Sequence, residues 1–299
     1  MHFNDREEII ALTPQWTGER FADGRPKVAD RYLDALYGMT LEEVWKPIFL
    51  KGYENQFEGK LSTLHQGKKM VGRAVTCSFC PTRPDLHETA MITGTSEGRR
   101  GTYNQWVIDS LVERDVVVVD MYDKIYKGTF LGGNLTTAVA ARTKSGGAVI
   151  WGGVRDLEQM KAISDVQVFY RGIDPTPIRD FVMTGFNTTT RIGGAVCLPG
   201  DVVFGAGGGV LFIPSHLVAE VVDGAAKTHV KDIFGFEMIS QGVFTTAQID
   251  QSVWSRHMLD RLIRFIQTDA RGEEYRELDW TQEYAAAEEL TGGYGQSAL

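Results

Sequence analysis

Arg155 and Asp156, which follow Gly152-Gly153-Val154, are the residues best suited to do chemistry in this chain. An arginine can clamp a carboxylate through two parallel hydrogen bonds, and an aspartate offers hard oxygen donors to a cation such as Mg2+. A second group lies upstream at Gly132-Gly133-Asn134-Leu135. Glycines let a backbone approach a ligand closely, and the first amides of a following helix are free to face an anion. Asn134 is read as that helix's N-cap. Together the two groups suit a small anionic substrate and a divalent metal. Plainer readings stand beside these. Asp156 and Gln159 have capping-box spacing, Arg155 has the character of a surface ion-pair partner, and Gly-Gly-Asn can simply begin a helix.

The elements that must position these residues follow from periodicity. Asp115 to Asp120 and Ala148 to Trp151 are apolar runs of the kind a sheet buries on both faces. The second run delivers a Gly-Gly turn and Arg155 to its C-terminal end, where α/β folds place ligands. Asn134 to Lys144 and Asp156 to Ile163 read as the helices that follow. Further strands are expected over 56–61, 70–79 and 166–170. A hairpin is expected over 196–214, turning at Gly205-Ala206-Gly207-Gly208-Gly209. That turn leads into a strand rather than a helix, so it is not a dinucleotide loop. Helices are expected over 28–38, 41–52 (with a Thr40/Glu43 capping box), 102–112, 215–234 and 246–267. Residues 1–27 read as an extension lying over a neighbour, 81–101 as a long loop, and 273–299 as a loose or subunit-wrapping tail. The resulting division is an N-terminal extension over 1–40, an α/β domain over 41–245 and a helical arm and tail over 246–299.

Composition narrows the function. The chain has 299 residues, is 43% apolar and 23% charged, and carries a net charge of -8. An acidic chain without long basic clusters argues against a nucleic-acid partner. No window is apolar enough to span a membrane, and the acidic N-terminus has no signal-peptide core, so a cytoplasmic location is expected. The three cysteines, Cys77, Cys80 and Cys197, are too few for a four-cysteine zinc site and read as free thiols. The histidines have no metal-binding spacing, and no Gly-x-Ser-x-Gly supports a serine nucleophile.

The segments GGNLTTAVAARTKSGGAVIWGGVRDLE and RIGGAVCLPGDVVFGAGGGVLFIP resemble the RraA-like family, which includes 4-hydroxy-4-methyl-2-oxoglutarate/pyruvate aldolases and oxaloacetate decarboxylases. The resemblance covers roughly residues 41–245. It implies a compact α/β/β sandwich of swivelling topology, assembled as a homotrimer or homohexamer. It also implies that Arg155 holds the substrate carboxylate, that Asp156 holds Mg2+ or Mn2+, and that Gly132, Gly133, Asn134 and Leu135 bind the pyruvyl group. The implied function is a metal-dependent lyase, an aldolase or β-decarboxylase, acting on a 2-oxo or hydroxy acid. Family members carry an acid twenty-one positions before the arginine, and here that position is Asn134. An amide cannot accept a proton at neutral pH, so either Asp120, Asp123, His87 or Glu88 carries the proton, or the reaction is one such as decarboxylation that needs enolate stabilisation more than a base. Two alternatives stay open. One is a sugar-acid hydratase, dehydratase or isomerase, with 81–101 reshaping the pocket. The other is a non-catalytic regulator, since the family includes an inhibitor of an RNA-degrading enzyme.

Overall fold

The computed structural model describes residues 3–292. The chain divides into two compact units, residues 1–222 and 223–299. In the first, the helices are α1 (Arg6–Leu12), α2 (Asp30–Tyr37), α3 (Leu41–Leu50), α4 (Pro84–Ser96), α5 (Tyr103–Ser110), α6 (Gly133–Thr143) and α7 (Leu157–Lys161). The strands are β1 (Phe57–Glu58), β2 (Ser62–Thr63), β3 (Met70–Pro81), β4 (Asp115–Leu131), β5 (Gly147–Val154), β6 (Gln167–Ile173), β7 (Phe181–Phe186), β8 (Thr190–Ile192), β9 (Ala195–Cys197), β10 (Val202–Ala206) and β11 (Gly209–Ile213).

One mixed sheet has the order β1-β11-β10-β3-β4-β5-β6-β2, and β7 also pairs with β3. β3, β4, β5 and β6 run parallel to one another, while β10 and β11 form an antiparallel hairpin closing at Ala206 and Gly209 and β10 pairs antiparallel with β3. The central strands are buried on both faces, as their continuous apolar runs require. Val117, Val119 and Ile150 pack with Trp106, Val107 and Val139 of α5 and α6. Val116, Val118 and Val149 pack on the other face with Ile192, Ala195 and Cys197 of the β8–β9 hairpin. The layers are therefore helix, sheet and hairpin, an α/β/β arrangement.

Several expectations are corrected. Residues 81–101 are mostly helix rather than loop, because α4 has Pro84 in its first turn, where a missing N–H costs nothing. Ala90 of α4 is buried, and Gly94 lies so close to the Trp106 ring that a Cβ there would sit 2.2 Å away. The N-terminal segment, expected to lie over a neighbour, also packs within its own chain. Phe3 and Ile9 are buried, and Arg25 reaches the core to donate to both carboxylate oxygens of Asp115, at 2.9 and 3.1 Å. α3 runs through Pro47 to Leu50, and its Thr40/Glu43 capping box is formed as expected. β5 does not stop at Trp151 but continues through Gly152 and Gly153 to Val154. The reason is the irregular second half of β4, which crosses directly over these glycines. A Cβ on Gly152 would lie 2.6 Å from that of Met121, and one on Gly153 would lie 2.9 Å from the carbonyl oxygen of Ile125.

The Pro199-Gly200-Asp201 turn before β10 is held by the Asp201 carboxylate, which accepts the Leu198 N–H at 2.8 Å. Asp201 is buried, and that burial pushes its carboxyl up to about 7, against the pull of the Leu198 and Ser215 amides.

The second unit begins within α8 (Val218–Ser240) and contains α9 (Thr246–Ile249), α10 (Arg256–Thr268) and α11 (Thr281–Gly292). Its own core joins Val230 and Phe234 to Trp254, Leu259, Leu262 and Ile266. Up to Gly292 the expected loose tail is ordered secondary structure, a 3-10 segment at Ala270–Tyr275 followed by α11; the rest of it lies outside the described residues.

Candidate active site

The end of β5 and the start of α6 meet because β5 runs parallel to β4, and β4 leads directly into α6. Leu131 pairs with Val154, and the Arg155 N–H continues the contact by donating to the Leu131 carbonyl at 3.0 Å. This register places Gly132 against Arg155 and Asp156. A Cβ on Gly132 would lie 2.5 Å from an Asp156 carboxylate oxygen and 3.1 Å from Arg155 Nε, so only glycine fits without a shift.

Gly132, not Asn134, is the N-cap of α6, and it offers no side chain. The cap is supplied from outside. Asp156 stands at the N-cap position of α7, yet its side chain makes no capping bond to that helix. Its carboxylate instead accepts the Gly133 N–H at 3.2 Å. The capping-box reading of Asp156 and Gln159 is thereby corrected. A left-handed backbone at Asp156, with φ of 56°, turns the carboxylate across to the other helix. The amides of Asn134 and Leu135, also in the first turn of α6, have no intrahelical acceptor and add to its positive end.

Arg155, Asp156, Gly132, Gly133, Asn134 and Leu135 all line one cavity of about 370 Å³. Arg155 Nε lies 3.9 Å from the Asp156 carboxylate, a loose contact, and both side chains are accessible at 41% and 36%. Among the described residues the Arg155 guanidinium donates no hydrogen bond, which leaves its planar fork available to a carboxylate. The rest of the wall is neutral: Asn104, Thr129, Gln159, Phe130, Pro177 and Ile178. Two of these polar side chains are already engaged. Asn104 donates to the Phe130 carbonyl at 3.3 Å, and Thr129 donates to the Thr176 carbonyl at 2.5 Å. Sequence reasoning missed these wall residues, which come from α5, β4, α7 and the loop after β6. Only Gln159 had a signal, its spacing from Asp156.

The structure does not bring Asp120 into this cavity. Asp120 lies on the face of β4 that packs toward the β8–β9 hairpin, 3.8 Å from Arg191 and accepting the Tyr122 N–H at 2.8 Å. Burial pushes its carboxyl up, against the pull of the Tyr122 N–H and the Arg191 charge. Asp123 pairs with Arg171 at 2.9 Å, His87 shares a hydrogen bond with the Tyr103 hydroxyl at 2.9 Å, and Glu88 is exposed on α4. None of the three lines the cavity.

Asp156 is the one carboxylate of the lining, and no group of three or more metal-ligating side chains occurs among the described residues. This donor set does not make an all-protein cage. It fits a hard divalent ion that keeps most of its water and takes remaining ligands from substrate oxygens.

Over 171 residues the chain is 29% identical to Protein DlpA of Legionella pneumophila, covering 54% of this chain and 24% of DlpA. The chain thus spans about a quarter of that protein's length. It is 24% identical over 154 residues to the uncharacterized protein MJ0644 of Methanocaldococcus jannaschii, covering 50% of this chain and 74% of that one. The fold is shared with RraAS2 of Streptomyces coelicolor, described as an unusual member of the RNase ES inhibitor RraA protein family. The TM-score is 0.59 and the identity 22%, over 71% of this chain and 97% of that one. An uncharacterized protein from Pseudomonas syringae pv. tomato shares it with a TM-score of 0.60 and 20% identity, over 78% and 98% of the two chains. The family model for RraA-like proteins, Aldolase/RraA, matches residues 27–212, a span that contains every lining residue of the cavity, and the chain belongs to the RraA-like family.

Proposed function

We propose that this chain is a divalent-metal-dependent carbon–carbon lyase acting on a small 2-oxo or hydroxy acid, by aldol cleavage or β-decarboxylation. The observation that carries the reading is the redirected Asp156. Its carboxylate leaves its own helix to meet the Gly133 amide, beside an arginine whose donors are unspent. A surface ion pair would need neither feature.

Arg155 binds the substrate carboxylate through its paired N–H groups and fixes its orientation. The Asn134 and Leu135 amides, at the positive end of α6, face the negative charge that develops on the 2-oxo oxygen. Asp156 is the residue that would hold Mg2+ or Mn2+, and such an ion would supply Lewis-acid polarisation of the substrate. Asn134 orients substrate or a water by hydrogen bonding and moves no proton itself. With no base among the lining side chains other than Asp156, protons are exchanged through water. A site that lacks a positioned acid or base forgoes about 10²- to 10⁴-fold in rate, so slow turnover is expected.

The test is turnover of oxaloacetate and of 4-hydroxy-2-oxo acids by the full chain with Mg2+ or Mn2+. Arg155→Ala is expected to lower kcat/KM by about 10²-fold or more. Absence of metal-dependent turnover by the native protein, or full activity in Arg155→Ala, removes the reading. The regulatory alternative is favoured by one observation, an amide at position 134, and any metal-dependent turnover that requires Arg155 would displace it.

A further inference from the structure

We propose that a second ligand site lies beside the N-terminal segment and takes a small aromatic monocarboxylate. The proposal stands independently of the lyase reading. A cavity of about 580 Å³ is walled by residues 15–19, 27–32 and 215–219, with Arg73 of β3 also in its lining. A neighbouring cavity of about 480 Å³ shares Gln15, Trp16, Ser215 and His216 with it. Both volumes suit a small organic ligand. Arg73 stands opposite Asp115, where β4 begins, whereas the Arg155 cavity forms where β4 ends, at the Leu131–Val154 pair. The two sites therefore occupy opposite ends of one strand. Residues 15–19 and 215–219 also fall outside the 27–212 span shared with the family.

The wall around Trp16 is fixed before any ligand arrives. The Arg20 guanidinium donates to the Thr13, Trp16 and Gly24 carbonyls and to the Thr13 hydroxyl, at 2.8 to 3.1 Å. The Trp16 indole N–H is spent on the Glu19 carbonyl at 2.8 Å. Gly18 lies so close to the ring that a Cβ there would sit 2.6 Å from it. With its polar atom satisfied, Trp16 offers the cavity a flat apolar surface, and a wall already ordered costs little to bind against. Tyr32 adds a second ring to the lining.

Two buried polar side chains keep unspent hydrogen-bonding capacity here. Arg73 is 4% exposed; its Nε donates to the Val28 carbonyl at 2.8 Å and its Nη2 pairs with Asp30. Among the described residues its Nη1 donates to nothing. Ser215 is also 4% exposed, and among the described residues its hydroxyl makes no hydrogen bond. Buried polar groups are as a rule hydrogen-bonded, so two unspent ones in one lining point to a ligand that completes them. A guanidinium only donates and a hydroxyl can, so the ligand brings acceptors, and a carboxylate has one oxygen for each. Charge agrees with this choice. In the lining Lys27, Arg31 and Arg73 outnumber Glu19 and Asp30 by one. His216 adds no charge near neutral pH, because burial and then the Lys51 charge hold its imidazole below its usual value. One negative charge on the ligand balances the surplus.

The probe is phenylacetate, titrated by calorimetry into the full chain. It is expected to bind the native protein and Arg155→Ala equally. Trp16→Ala and Ser215→Ala are each expected to weaken it about 10-fold, the first by loss of ring contact and the second by loss of a hydrogen bond to a charged group. Arg73→Lys, which keeps the charge and gives up the planar fork, should weaken it by at least as much. Phenethylamine, of similar shape and opposite charge, should bind about 10-fold or more weakly than phenylacetate. No binding of phenylacetate at millimolar concentration, or equal binding of phenethylamine, overturns the proposal. Binding that is lost in Arg155→Ala and kept in Trp16→Ala also overturns it, by assigning the ligand to the first cavity. Where Arg73→Lys or Trp16→Ala fails to fold, Ser215→Ala decides, since it removes a single hydroxyl; unchanged binding there overturns the proposal.

Discussion

Two of the molecule's arginine–aspartate pairs are used by the fold in opposite ways. Arg25 and Asp115 are buried at 2% and 0% exposure, bond through two oxygens, and share the guanidinium further with Asp23 and the Ala74 carbonyl. Arg155 and Asp156 touch at 3.9 Å in an open cavity. The first pair is consumed by its neighbours and can only hold structure. The second is held near contact by backbone, so its hydrogen-bonding capacity is left for a ligand. The difference comes from the positions that bring the partners together. Ninety residues separate Arg25 from Asp115, and that pair is made by tertiary packing. Arg155 and Asp156 are adjacent, and the left-handed turn between strand and helix keeps them from closing on each other.

Mutations break the comparison in a graded way. Arg25→Ala leaves a buried carboxylate without its cation and is expected to destabilise the fold by about 3 to 5 kcal/mol, read by urea denaturation. Asp201 tests a buried carboxylate that has amide partners in place of an arginine. Its carboxyl, pushed up to about 7 from an ordinary 3.8, binds a proton more tightly folded than unfolded. The stability it contributes is fully present below pH 3.8 and is lost as pH rises through about 7. Between pH 5 and 8 the native chain should therefore lose on the order of 2 kcal/mol relative to Asp201→Asn, which has no proton to release. Gly132→Ala pushes on the second pair without removing it, and the displaced carboxylate should lower kcat/KM about 10-fold with little change in stability. The smallest effect is expected for Arg155→Ala on folding, within about 0.5 kcal/mol, because an accessible and loosely paired arginine contributes little. A stability loss comparable to that of Arg25→Ala would erase the contrast.

Much of this was legible from residue order. The valine run of β4, the β10–β11 hairpin, the Thr40 capping box and the convergence of Gly132 with Arg155 follow from periodicity and turn chemistry. What was not legible depends on distant partners. α4 reads as a loop because its threonines and glycine are weak helix formers. It is held by hydroxyls bonded one turn back, from Thr89 to Asp85 and from Thr93 to Thr89, and by Gly94 against Trp106. Arg25 reads as part of a polar extension because nothing local announces Asp115. Gly152 and Gly153 read as a turn because a strand that must be bare under a crossing segment has the same composition as a bend. Asp120 enters as a candidate for its acidity, once Asn134 stands where the family carries an acid. The pleat of β4 decides otherwise, since Asp120 continues the alternation of Val116 and Val118, which face the hairpin.

The backbone of Asp156 has one more consequence. Aspartate, asparagine and glycine enter a left-handed conformation with little difficulty, while longer and branched side chains do so poorly. Asp156→Asn therefore offers an isosteric exchange in which the peptide path can stay in register and an amide oxygen can still receive the Gly133 N–H, while the formal charge disappears. Lengthening the side chain to glutamate would keep the charge and forfeit the turn. At this position, electrostatics and chain geometry can be varied independently.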